Sequence, residues 1–279
     1  MENTKLPPSG KDTFSYAQPR DPRLKRWVIR TLERLTGSKP LQRIYRELYT
    51  ETPNPYDVWE NAFRKLNITV DYDGSRLDKV PRNGPVIFIA NHPFGVVDGA
   101  ILLHLVTRVR RDYFLLINSV LADEPLMKGH LLPVDFDATP AAKATNLRTR
   151  EETTRRLKNG EALAIFPSGA VATAFKWRGP VEEFPWRRFI CGKIHETQCT
   201  VIPIYFHGAN SRLFQTVSKV SMNMRLGLLL HEIMNKRNTT IQVAIGNPIP
   251  YVDMQPYRNR QELIEYLYER TMGLKNQAS

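Results

Sequence analysis

The chain has 279 residues, 42% of them hydrophobic and 24% charged, with a formal net charge of +12. That is long enough for one large α/β domain plus a small accessory segment around a sizeable core, and two cysteines, Cys191 and Cys199, exclude a disulfide-stapled scaffold and point to a reducing, cytosolic compartment. The positive field calls for an anionic partner: nucleic acid, an anionic lipid surface or an acidic carrier protein. No helix-turn-helix, zinc-finger or RNP-type signature is present, which sets nucleic acid aside.

Residues 1–22 are polar and Pro-bearing without an apolar core, so the expectation is a disordered arm and no signal peptide. No run approaches the roughly 18–20 apolar residues that span a bilayer, so any membrane contact is expected to be peripheral. Residues 23–66 read as a helical segment. Leu24, Trp27, Val28, Leu32 and Leu35 recur at helical spacing, with Lys25, Arg26, Arg30 and Arg34 on the other face, before Gly37 and Pro40 stop the pattern. Such a basic stripe fits a helix lying in a membrane interface or one packed on the domain behind it. Short helices are expected over Leu41–Leu48 and Tyr56–Leu66.

From residue 67 to 279 strands alternate with helices. Strands are expected at Ile68–Tyr72, Val86–Ala90, Tyr113–Ile117, Leu131–Val134, Ala162–Phe166, Val201–Tyr205 and Thr240–Ile245, and helices at Ala100–Val109, Ala142–Lys158, Leu226–Asn235 and Arg258–Met272. This alternation argues for an α/β sheet with helices on its faces.

Three segments carry chemistry. In the first, Asn91-His92-Pro93-Phe94-Gly95-Val96-Val97-Asp98-Gly99, a histidine stands just past the carboxyl end of a buried strand, where open α/β sheets place their ligands. Pro93 and Gly95 shape the turn, and Asp98 falls where a helix begins. A carboxylate there either orients the imidazole, leaving Nε2 free as a base, or only caps the helix. The second is Phe166-Pro167-Ser168-Gly169, whose small residues let backbone approach a ligand and expose N–H groups to an anion. The third runs from Val201 to Ser211. Pro203 in its apolar run predicts a strand edge or a cleft wall, and His207 is a rival base that nothing nearby in sequence orients.

Together these segments resemble the glycerolipid acyltransferase superfamily, which carries N-H-x-x-x-x-D, F-P-E-G-T-R and V-I-P-V blocks in this order. They are most similar to its "putative hemolysin" or lysophospholipid acyltransferase-like branch, with N-H-P-x-G-x-x-D-G, F-P-x-G and a later run matching Gly208-Ala209-Asn210-Ser211-Arg212-Leu213-Phe214. The resemblance covers about Leu24 to Pro250. It implies a central mixed, largely parallel sheet flanked by helices, the glycerol-3-phosphate acyltransferase-like fold, behind an N-terminal helical segment. It also implies His92 and Asp98 as the catalytic pair, with Asn91, Phe94, Gly95, Phe166, Pro167, Ser168, Gly169, Pro203 and Asn210 around the substrate. Two departures stand out. Five residues separate His92 from Asp98, one more than in the phosphatidic-acid-forming enzymes, and Ser168, Ala170 and Val171 replace the Glu, Thr and Arg of the second block. The absent Arg is the group expected to grip a phosphate, so a lyso-lipid with another headgroup, such as an amino-acid-containing one, is the expected acceptor.

The reaction so implied moves a fatty acyl group from acyl carrier protein or CoA to an acceptor hydroxyl. A neutral imidazole, unperturbed pKa about 6.5, takes the hydroxyl proton, and N–H groups near Gly169 receive the oxyanion. No cofactor and no metal is expected. The alternatives are an acyl ester or thioester hydrolase, for which no G-x-S-x-G elbow is present, and a non-catalytic lipid-binding protein. The basic residues, including a second cluster at Lys143, Arg148, Arg150, Arg155, Arg156 and Lys158, suit an anionic membrane surface or an acidic carrier, which places the protein at the cytoplasmic face of a membrane.

Overall fold

The computed structural model describes residues 23, 38–52, 54–122, 125–176, 179–220 and 222–276. The basic stripe expected over Leu24–Leu35 and the arm before it lie outside those residues.

The described chain forms two compact units, one drawn from residues 1–69, 174–181 and 210–239, the other from 70–173, 182–209 and 240–279. The second holds most of a seven-stranded sheet in the order β1-β9-β8-β2-β5-β3-β4. Its strands are β1 (Thr69–Asp71), β2 (Val86–Ala90), β3 (Tyr113–Asn118), β4 (Leu131–Val134), β5 (Ala162–Ile165), β8 (Thr200–Phe206) and β9 (Thr240–Ile245). The pairs β2–β5, β2–β8, β3–β5 and β3–β4 are parallel, and β8–β9 is antiparallel. The sheet is therefore mixed and largely parallel, as expected. A two-stranded ribbon, β6 (Thr173–Ala174) with β7 (Val181–Glu182), stands apart.

β2 is central because its sequence, VIFIA, has no polar face: all five residues are fully buried. A strand covered on both faces needs apolar side chains at every position, and the parallel arrangement supplies that cover. Ile87 and Ile89 join Phe114, Leu163 and Ile165 in a core shared with Ile190 and Ile194 of α5 (Phe189–Thr197) and Leu263, Ile264 and Leu267 of α8 (Arg260–Met272). Helix α3 (Val96–Val109) packs on β3 and β5, with Val97, Ile101, Leu102, Leu103, Leu105 and Val106 all buried. Helix α4 (Pro140–Lys158) begins with Thr139, whose hydroxyl accepts from Ala142 N at 3.1 Å, and with Pro140 in its first turn. Its buried residues, Ala142, Thr149, Thr153 and Leu157, make one narrow stripe. Part of the basic cluster on α4 is engaged within the fold. Arg155 pairs with Glu152, and Arg156 pairs with Glu161 while lying 4.4 Å over the Phe114 ring.

The helix at 189–197 carries no signal read from the sequence. Gly192 and the β-branched Ile190, Ile194 and Thr197 are indifferent or poor helix formers, so burial of Ile190, Cys191 and Ile194 decides its conformation. In the other unit, α1 (Ser38–Glu51) and α2 (Val58–Leu66) are tied by Lys65, which bonds Glu47 at 2.9 Å and Glu51 at 2.8 Å. In the same unit α6 (Arg212–Val220) and α7 (Met222–Asn235) follow, with Glu232 of α7 accepting from the Ser211 hydroxyl (2.5 Å) and N–H (3.0 Å).

Pro203 is not at an edge. It lies in β8, between β2 and β9, opposite Ile89. An interior strand tolerates it because the β9 ladder ends at Ile245 and pairing resumes only at the Val201–Ile249 bridge. In that gap Gly246 N donates to Pro203 O at 2.8 Å, and no partner calls for the N–H that proline lacks.

Candidate active site

The three central strands, β8, β2 and β5, end side by side, and each feeds one of the three motif segments. β2 leads to Asn91 and His92, β5 to Phe166–Gly169, and β8 to His207 and Gly208.

Asn91 braces the junction. Its side-chain amide donates to Phe206 O at 3.0 Å and its carbonyl accepts from Phe206 N at 2.7 Å, extending the β2–β8 pairing by one side chain. The chain then turns through Pro93, Phe94 and Gly95, whose φ of 91° is open to glycine. Phe94 is buried and packs on Gly208, which has φ +113° and where a Cβ would stand 3.0 Å from the Phe94 ring. Gly208→Ala is therefore expected to cost about 1–3 kcal/mol in backbone strain and overpacking. Thermal unfolding reads this out, and an unchanged midpoint would show that the turn adapts.

Asp98 stands in the first turn of α3 and is fully buried. Its Oδ2 accepts from Phe94 N at 2.8 Å and its Oδ1 from Gly99 N at 2.9 Å, so it ties the loop to the helix's first turn, while Gly95 rather than Asp98 is the N-cap; an anion is favoured at that end of the helix dipole. The same Oδ1 lies 3.1 Å from His92 Nδ1. Bracing the loop and facing the imidazole are thus one arrangement, and the turn spans the extra residue between His92 and Asp98. The Nδ1 contact is short but runs off the line of a straight hydrogen bond. Nδ1 itself is buried, while the His92 side chain keeps 16% of its surface open. The imidazole is therefore reachable, and not through its Asp98 side.

The second segment wraps this histidine. Phe166 stacks on the ring at 4.0 Å with 21° between planes, and Ala172 N donates to His92 O at 2.7 Å. Ser168 is buried, and its hydroxyl donates to Ala170 O at 3.0 Å. Of the N–H groups near Gly169, that of Gly169 itself donates to Phe166 O at 2.9 Å and closes the turn. Ala170 N is held more loosely, 3.5 Å from Ser168 Oγ.

A further acid completes the cluster and was not read from the sequence. Glu183 Oε2 accepts from His92 N at 3.0 Å, and Oε1 accepts from Trp186 Nε1 at 3.3 Å. Burial pushes the Glu183 carboxyl above its ordinary range, and the hydrogen bonds from His92 and Trp186 pull it only part of the way back. Four residues on, Arg187 N donates to Pro167 O at 2.9 Å. A Cβ on Gly169 would stand 3.6 Å from Arg187 Nε and 3.6 Å from the half-exposed Phe136 ring.

The structure thus gathers Asn91, His92, Phe94, Gly95, Asp98, Phe166, Pro167, Ser168 and Gly169. Pro203 lies below them in β8, and Asn210, buried, belongs to the other unit. His207 has the Tyr205 ring at 4.9 Å, and burial and Lys275 hold its imidazole below the usual range. Burial pushes the thiols of Cys191 and Cys199 up to about 11 and about 12, so neither is a thiolate nucleophile near neutral pH. Among the described residues no group of three His, Cys, Asp or Glu is placed to hold a metal, and no helix is long and apolar enough to cross a membrane.

Comparison with known proteins places the chain in a family. The chain is 23% identical over 202 residues to a lyso-glycine lipid O-acyltransferase of Phocaeicola vulgatus, covering 70% of this chain and 69% of that protein. It is 22% identical over 218 residues to a lyso-glycine lipid O-acyltransferase of Bacteroides thetaiotaomicron, covering 76% and 77%. Its fold matches the crystal structure of the 1-acyl-sn-glycerophosphate acyltransferase PlsC from Thermotoga maritima, with a TM-score of 0.50 and 15% identity over 92% of this chain and 99% of that one. With a family model described as "Acyltransferase" matching residues 15–279, the chain belongs to that family, within the glycerolipid acyltransferase superfamily.

Proposed function

We propose that this acyltransferase moves a fatty acyl group from a thioester of acyl carrier protein or CoA to the hydroxyl of an acidic lyso-lipid of the lyso-glycine type. The observation that carries the reading is His92, with Nδ1 against the buried Asp98 and the rest of its ring partly open. Nε2 takes the proton of the acceptor hydroxyl, whose oxygen attacks the thioester carbonyl carbon. Asp98 fixes the tautomer and stabilises the imidazolium, as the acid does in a serine-protease triad. The C–S bond then breaks, and the departing thiolate takes the proton back from His92. Ala170 N–H is the loop donor available to the oxyanion.

Two features support a glycine-type acceptor over a phosphate one. Buried Val171 stands where the superfamily's Arg would be, and the relatives named above act on a lyso-glycine lipid, whose headgroup ends in a carboxylate. Arg187, exposed beside Gly169 and without an ion pair among the described residues, offers a guanidinium to that carboxylate, and Phe136 gives an apolar rim for the acyl chain. The excess of positive charge supports peripheral binding to an anionic membrane at its cytoplasmic face, weakened by salt.

The test supplies purified protein with vesicles containing lyso-glycine lipid and with acyl carrier protein or CoA thioester in separate arms. O-acylated product that requires the acceptor is expected, and Arg187→Ala is expected to raise the acceptor KM about 10-fold or more with kcat little changed. Thioester loss at the same rate with and without acceptor would make the protein a hydrolase.

A further inference from the structure

The inner surface of the His92 loop is held by an acid that none of the three motif segments contains. Glu183 reaches it from the stretch between β7 and α5, and its two oxygens meet two donors: the main chain of His92 and the indole of Trp186. Trp186 is itself fixed in the core, edge-on to Tyr268 at 5.4 Å. The carboxylate is therefore anchored on one side and holds the main chain of the β2 segment on the other.

We propose that Glu183 is a positioning residue for acyl transfer, whose carboxylate sets the main chain of His92 and so fixes where the imidazole stands relative to the Phe166–Gly169 loop. The inference rests on His92 acting as the base. It assigns to a remote acid the carboxylate that the loop itself lacks, since Ser168 carries only a hydroxyl. An N–H to carboxylate bond is about twice as strong as a neutral one, so its loss loosens the loop without opening a cavity.

The groups facing this carboxylate are His92, Tyr205 of β8, Tyr268 of α8 and neighbouring Glu182. The two phenols are themselves raised, chiefly by burial and then by Glu183, so they stay neutral in the working range. The carboxylate form is the acceptor, so positioning is complete above its protonation range and is lost as pH falls through it. That range lies above the ordinary one for Glu, because burial disfavours the charge.

Glu183→Gln keeps the shape and removes the charge. It is expected to lower kcat on the order of 10-fold while leaving the acceptor KM within about 2-fold and the unfolding midpoint within a few degrees. The acid limb of its kcat/KM profile should move to lower pH, because a group that protonates early is gone along with its negative charge. Reactivity of His92 toward diethyl pyrocarbonate, followed by peptide mass spectrometry across pH, reads the same positioning without turnover and should differ between wild type and Glu183→Gln. Wild-type kcat, acid limb and His92 reactivity in a folded Glu183→Gln protein would overturn the inference alone. A response of His92 reactivity in a protein that acylates no acceptor would instead overturn the acyl-transfer reading, and the catalytic part of this inference with it.

Discussion

Replacing His92 with alanine is expected to lower kcat for acyl transfer by about 10²–10⁴-fold, the range that general-base catalysis contributes. The variant isolates chemistry from folding. The contacts that hold residue 92 in place, Ala172 N to its carbonyl and its N–H to Glu183, belong to the main chain and survive truncation. The side chain gives up its stack on Phe166 and its contact with Asp98, and Asp98 keeps its bonds from Phe94 N and Gly99 N. The stability change should stay near 1 kcal/mol. The measurement is single-turnover acylation of the acceptor beside urea unfolding of the same preparation. A folded His92→Ala protein that acylates at near wild-type rate would end the proposed mechanism. Asp98→Asn should fall to a comparable rate but also lose stability, because its amide cannot accept both main-chain N–H groups while facing the imidazole.

Arg110→Ala is expected to destabilise the sheet unit by about 3–4 kcal/mol, the largest stability effect among these substitutions. Arg110 is almost fully buried, and all five of its N–H donors are engaged. Nε and one Nη bond Asp112 at 2.8 and 2.7 Å, the other Nη bonds Pro81 O and Gly84 O at 3.1 and 2.9 Å, and the remaining donor goes to Gly160 O. The turns at Gly84 and Gly160, where a Cβ on Gly160 would stand 3.6 Å from Gly84 Cα, are pinned together by this one guanidinium. Truncation strands three carbonyls and leaves a void. Arg110→Lys should recover less than half of the loss, since an ammonium has three donors and no planar fork. Urea unfolding midpoints decide it, and a shift of less than about 2 °C in parallel thermal scans would refute the estimate. The effect should shrink in acid. Burial alone would raise the Asp112 carboxyl, but the Arg110 hydrogen bonds outweigh that and hold it below its usual range. The ion pair's contribution is present above the ordinary carboxylate pKa and is lost as pH falls through the lowered one.

What the sequence made legible follows from the kind of signal involved. Strands such as Val86–Ala90 and Thr240–Ile245 announce themselves as short apolar or alternating runs, and the structure places them where the pattern does. The mixed, largely parallel sheet came from the alternation of elements together with the family resemblance. His92 and Asp98 were readable because they sit within one turn of each other in a shaped loop. Glu183 was not, because it reaches the histidine across 91 residues of chain and its neighbour Glu182 looks the same in sequence. Arg110 was equally hidden: in Val-Arg-Arg-Asp it reads as surface charge, and only the tertiary placement of three carbonyls makes it a core residue. Pro203 misled in the opposite direction. A proline normally marks an edge, but here the neighbouring ladder is interrupted at the position where its N–H would have been required.

The place of β2 in the sheet also sets when the protein becomes competent. Its two neighbours begin at Ala162 and Thr200, so Val86 meets partners that leave the ribosome long after it does. Pairing over such separations carries a high loop-closure cost and is slow. The imidazole therefore has no firm seat until β8 has slotted in beside β2, and the apolar run at 86–90 stays open to wrong partners until then. Chaperone dependence during synthesis is the natural outcome of a catalytic loop hung on a strand whose partners arrive so late.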